Sequence, residues 1–273
     1  MVKGIDMRIL AVLFTLLTFS AWGQDTTAYL NAFDAKVYSL KAKGVKDFVV
    51  DIQSSKLTKQ LDEQMIFGKV KEVTFRTYWT ASPERLAIEI IGLPEGFKEI
   101  KEDLKVSVLS VMDNILPMTT AQRFAGYKFQ AGTAPKEFLA KDTTGIAMIQ
   151  SYVLRFDKED KLSEVIGNKA VGSLVMIPKY EKESFTDGKW VLKSLTTTTS
   201  ENGQTVVVKK VLGYGTSQGI GVVTRVTTST EQKSAATGAK PLNSEESLDF
   251  KNYKINSGAA FKYFLGSETK SSN

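Results

Sequence analysis

The chain has 273 residues, is 42% hydrophobic and 24% charged, and carries a net charge of +6 at pH 7. That is ordinary globular composition, enough for one large all-β or α+β domain or two small ones. It has no histidine and no cysteine, which excludes Ser-His-Asp and Cys-His catalysis, disulfides, a lipidated lipobox thiol and the usual ligand types of a zinc site.

The first residues, MVKGIDMRILAVLFTLLTFSAWG, read as a secretory signal peptide. Lys3 and Arg8 precede an apolar run from Ile9 to Phe19, and Ala21 and Gly23 have the spacing of a cleavage site after Gly23. Met7 is an alternative start. The run is short for a membrane span, and an uncleaved anchor is the other reading. Export without cysteine points to a bacterial envelope compartment, the periplasm.

The next stretch, DTTAYLNAFDAKVYSLKAKG, predicts a helix over 25–43. Asp25, Thr26 or Thr27 can cap it, Gly44 ends it, and Tyr29, Phe33, Val37 and Leu40 form one apolar stripe. The period then changes to two. Phe48, Val50 and Ile52 alternate with Val49, Asp51 and Gln53. Val73, Phe75 and Trp79 oppose Thr74, Arg76, Tyr78 and Thr80. Leu86, Ile88 and Ile90 share a face of the next strand, which ASPE joins to the one before as a hairpin. The stretch SSKLTKQLDEQM fits either a longer first strand or a short helix. A second helix is predicted over 95–116, with Pro94 in its first turn and Pro117 as its stop. Phe97, Ile100, Leu104, Val108, Val111 and Ile115 recur along it at helical spacing, over a length of about 30 Å.

Residues 131–146 read as a loop, after which the alternating pattern resumes. AMIQSYVLRFDKEDKLSEVIG predicts a hairpin turning at Asp157–Asp160, with Tyr152, Leu154 and Phe156 on one face. SLVMIPKYEKESFTDGKWVL predicts another, turning at Asp187-Gly188. KSLTTTTSENGQTVVVKKVLGY predicts two long strands about Asn202-Gly203, a dipeptide that tolerates the positive φ of a two-residue hairpin turn. GIGVVTRVTTSTEQ and SLDFKNYKI are the last strands, separated by a polar loop. The tail 265–273 is expected to be disordered.

Other motifs give little chemistry. GYGTSQGIG has the wrong spacing for a dinucleotide loop and leads into a strand, so it reads as a turn. Glu99, Glu102 and Asp103 have lysines three or four residues away and read as solvated ion pairs, while Glu84 and Glu89 flank a strand. No basic stripe is interleaved with aromatics, so nucleic acid is not an expected partner. No metal, cofactor or catalytic residue is expected. A hydrolase working through Ser-Lys or carboxylates is the remaining enzymatic alternative.

These elements predict one α+β domain over 24–264. It is a strongly curved antiparallel sheet of roughly ten strands, a half-open β-barrel, with two amphipathic helices packed in its concave face. Phe75, Trp79, Leu86, Ile88, Ile90, Tyr152, Leu154 and Phe156 from the sheet, and Phe97, Leu104 and Val108 from the second helix, are expected to line a ligand cavity. The rival expectation is that the helices seal this face as a dry core, leaving a structural or interaction protein.

The order of elements, with VTFRTYWTASPERLAIEI and the closing SLDFKNYKINSGAAFKYF, resembles the periplasmic lipoprotein-carrier family, the Lol-type lipoprotein-sorting proteins. The first stretch is similar to that family's strand, proline turn and strand, and the second to its terminal strand and hydrophobic clip. The resemblance implies an incomplete β-barrel with helices as a lid over an apolar cavity. It also implies carriage of acyl chains across the periplasm. The cargo expected of this chain is a lipid or an acylated protein, with an envelope membrane protein as a further partner, and the chain is expected to be a monomer. The carrier proper has a basic residue just before the turn proline, where this chain has Ser82 before Pro83 and Arg85 after it. That departure bears on lipoprotein delivery and leaves binding of a lipid or other hydrophobic ligand in place.

Overall fold

The computed structural model describes residues 26–64, 72–94, 97–116, 118–234 and 241–271. The expected signal peptide, 1–23, lies outside the described residues. The helices are α1 (Thr26–Lys36), α2 (Ser55–Gln64), α3 (Lys98–Ile115), α4 (Thr120–Arg123) and α5 (Ala259–Ser271). The strands are β1 (Asp47–Gln53), β2 (Thr74–Ala81), β3 (Glu84–Ile91), β4 (Tyr127–Ala131), β5 (Glu137–Asp142), β6 (Ile149–Phe156), β7 (Leu162–Lys169), β8 (Ser173–Glu181), β9 (Val191–Glu201), β10 (Gln204–Ser217), β11 (Ile220–Ser234) and β12 (Leu242–Ile255).

All twelve strands join one sheet, in the order β3-β2-β1-β12-β11-β10-β9-β8-β7-β6-β5-β4. From β4 to β12 it is a plain meander. The early β1–β3 unit is then added at β12, where Phe48 pairs with Ile255 and Ile52 with Phe250. Strand pairing is antiparallel throughout, and β3 and β4 remain as separate edges, so the sheet is open.

Local chemistry explains the turns. Asn202 and Gly203 sit at φ 49° and 74°, the left-handed pair that matches hairpin twist to strand twist. Register then follows, with Thr197 opposite Val208 and Leu195 opposite Lys210. Gly221 answers a different need. A methyl group there would come within 1.9 Å of the Phe185 ring, so only glycine lets β11 run this close beneath it.

Two apolar cores lie against the sheet. In the first, Phe48, Ile52, Phe75, Trp79 and Ile88 pack with Val108, Val111, Met112 and Ile115 of α3. In the second, Leu30 and Phe33 of α1 pack with Phe138, Leu154, Phe156, Val165 and Trp190. Helix α5 meets β1 and β2 on the opposite side, because Tyr78, which alternates with Phe75, Thr77 and Trp79 along β2, stacks its ring on Tyr263 at 3.9 Å.

Several expectations need correction. The helix expected over 25–43 stops at Lys36, because the sheet captures its next residues. Tyr38 N–H donates to Trp190 O at 2.8 Å and Trp190 N–H to Lys36 O at 2.9 Å, which draws Val37 into a bridge with Trp190. A short 3₁₀ turn, Lys41–Lys43, follows before Gly44. The loop expected over 131–146 contains β5, whose Phe138 and Ala140 are buried, and β4 precedes it. The ambiguous segment after β1 is a helix, α2. Helix α5 runs on to Ser271.

Helix α1 is also held electrostatically. Tyr29 donates its hydroxyl to Asp160 at 2.8 Å, and Lys36 and Lys136 lie at 3.3 and 2.6 Å from the same carboxylate. Asp160 stands in the β6–β7 turn. The hydrogen bond from Lys136, helped by that from Tyr29, lowers its pKa to about 2. A carboxyl depressed in the folded state contributes stability that is complete above the unfolded value of about 4 and is lost on acidification through the folded value. Anchoring of α1 should therefore weaken between about pH 4 and pH 2. Acid titration followed by tryptophan fluorescence, with Trp190 under α1, should show this step in the native chain. In Asp160→Asn the step should disappear.

Candidate functional site

Between the sheet and the helices lies a cavity of about 160 Å³. That is roughly ten times the least space needed by a single water, and close to an apolar cavity known to hold a benzene-sized ring. Met176, Pro178 and Tyr180 of β8, Leu192 and Leu195 of β9, and Val222 and Val223 of β11 supply one wall. Phe33, Val37 and Leu40 on one segment, and Ile115, Met118, Arg123 and Phe124 on another, supply the other.

The strand alternation places the sheet wall. Register puts Leu195 opposite Pro178 on one side and Lys210 on the other, and Thr197 opposite Met176 and Val208. Bulges at Lys179/Tyr180 and Gly213/Tyr214 re-aim the rows just where the cavity opens.

Four tyrosines line this space, and three of them have hydroxyls that donate to backbone carbonyls. Tyr38 reaches Gly221 O at 3.0 Å, Tyr214 reaches Leu192 O at 2.8 Å and Tyr253 reaches Val223 O at 2.7 Å. Burial raises the pKa of all three, so they remain protonated donors. Tyr180 differs. Its ring lies edge-on to Phe33, with centroids 5.8 Å apart, but its hydroxyl has no partner among the described residues. Burial pushes its pKa up to about 12, against the opposing pull of the Arg123 charge.

The mouth is built by α4. Thr119 caps it in a reciprocal pair with Gln122. Asp34 of α1 accepts from the Thr120 N–H and hydroxyl, both at 2.8 Å. Burial raises the Asp34 pKa, opposed by those two bonds and by Arg123. The α1–α4 link thus fixes Arg123, which is exposed at the cavity rim. On the far side, Lys210 donates to Ser110 O of α3 at 3.0 Å, and desolvation lowers its pKa.

The residues expected to line a cavity sit elsewhere. Phe75, Trp79, Ile88 and Val108 are buried in the first core, with Leu86, Ile90 and Leu104 packed against it. Leu154 and Phe156 are buried in the second, with Tyr152 beside them. Phe97 is half-buried at the start of α3. The structure divides all of them but Phe97 between two cores, and none lines the cavity. Its actual sheet wall had a period-two signature, Met176-x-Pro178-x-Tyr180, in a stretch that reads most obviously as a hairpin arm. No protein family matches the chain, nor does any curated protein or solved structure.

Proposed function

We propose that the protein binds the apolar part of an amphiphile in this cavity, as a non-catalytic carrier of a lipid or acyl group. Its helices would pack in the concave face of the sheet as a lid, in the manner of the lipoprotein-carrier family. It would be exported to the periplasm by its first 23 residues, act as a monomer and exchange cargo with an envelope membrane protein.

The observation that carries this reading is the largely apolar cavity between sheet and helices, in which three of the four lining tyrosines turn their hydroxyls to backbone carbonyls. Its size matches about six carbon atoms. Burying about six methylenes stabilises a complex by about 5 kcal/mol, against an association cost of about 4 kcal/mol or more. A short chain or the end of a longer one is therefore the fitting occupant. Helix α3 suits a lid, since its buried residues cluster in Val108–Ile115 while Val106 and Leu109 are exposed.

A second reading, a packed scaffold with no cargo, draws support from the dense packing of Phe75, Trp79, Ile88 and Leu154. Native mass spectrometry and solvent extraction of the purified protein separate the two. A copurified lipid, or uptake of an added fatty acid, is the expected result. Neither adduct nor uptake would leave only the scaffold.

A further inference from the structure

The polar groups around the cavity divide into those already engaged and those left over. Tyr38, Tyr214 and Tyr253 hold backbone carbonyls, and both Asp34 oxygens take donors from Thr120. Among the phenol and guanidinium donors of the lining two remain: the Tyr180 hydroxyl and the Arg123 guanidinium have no hydrogen-bond or ion-pair partner among the described residues. A guanidinium can only donate, and a phenol hydroxyl readily does so.

We propose that the cavity selects an amphiphile with an anionic head, its short apolar tail against Met176, Leu195 and Val222 and its carboxylate between Arg123 and Tyr180. This rests on the binding reading above and adds the class of ligand. A carboxylate accepts from both free donors at once, and charge-assisted bonds to arginine are the stronger kind. A neutral alcohol would engage Tyr180 and leave Arg123 unanswered. An ammonium head would meet the like charge of Arg123. Two carboxylates also line the cavity: Asp34 is turned to Thr120, and Asp113 is exposed to water, with its charge felt by Lys210.

Calorimetric titration of the full chain at neutral pH with octanoate, 1-octanol and octylammonium tests the head group. Octanoate should bind about tenfold more tightly than 1-octanol, the effect of one charge-assisted hydrogen bond. Arg123→Gln should bring octanoate to within about twofold of 1-octanol, and Tyr180→Phe should weaken octanoate by a smaller factor. Thermal unfolding of both variants should stay close to that of the native chain, since Tyr180→Phe keeps the ring on Phe33 and neither polar head makes a hydrogen bond among the described residues. Equal affinity for octanoate and 1-octanol, or tighter binding of octylammonium, overturns the head-group assignment and leaves the cavity reading standing. Failure of all three probes to bind overturns both.

Discussion

Trp79→Ala should cost about 3–5 kcal/mol of folding stability, the range for deleting a large buried aromatic side chain. Trp79 is 1% exposed. Its ring stacks on Phe48 at 5.2 Å between centroids, and the register sets Leu86 beside it on β3. Strands β1, β2 and β3 thus meet at this ring on the face that α3 covers, and little backbone there is free to collapse into the void. Urea denaturation measures the loss, with Ile177→Ala as the contrast. Ile177 is 42% exposed on β8, where truncation should change stability by no more than about 0.5 kcal/mol. The same variant also separates core from site. Because Trp79 does not line the cavity, folded Trp79→Ala protein should keep its ligand affinity. Loss of binding in the folded variant would mean that the cavity and the first core act as one compartment.

That separation marks where sequence reasoning succeeded and where it stopped. Hairpins with strong turn chemistry were legible: Asp160, Asp187-Gly188 and Asn202-Gly203 all adopt positive φ at their turns. So was the inward set Phe75, Trp79, Ile88, which the β1–β2–β3 register aligns in one row. Periodicity states that a residue faces inward. It does not state whether a helix or empty space meets it there. Phe75 and Trp79 meet α3, while Met176 and Leu195, with weaker-looking patterns, border the space. The early end of α1 was hidden for a similar reason, since its cause is a bridge to Trp190, more than 150 residues away in the chain. Strand β5 was masked by its flanks. Gly132, Pro135 and Gly145 frame Phe138 and Ala140 so closely that loop composition dominates the window.

Filling the space from the sheet side should abolish binding without unfolding the protein. Leu195→Trp is the suitable change, because Leu195 borders the cavity between Pro178 and Lys210 rather than lying in either buried core. A larger ring there occupies volume that the ligand tail would take. Overpacking a filled site costs about 1–3 kcal/mol, whereas filling an existing void commonly adds about 0.5–2 kcal/mol. The unfolding temperature should therefore stay level or rise, while octanoate affinity falls by at least about tenfold, the loss expected when two or more of the methylenes, each contributing about 0.8 kcal/mol, find no room. Leu195→Ala supplies the opposite case: a larger cavity, a less stable fold and a shift in preference toward decanoate over octanoate. Stability and affinity thus move in opposite directions in the filled variant, a pattern that global unfolding cannot produce. If Leu195→Trp binds octanoate as the native chain does, the ligand lies outside this cavity, and the carboxylate site assigned to Arg123 and Tyr180 loses its role as well.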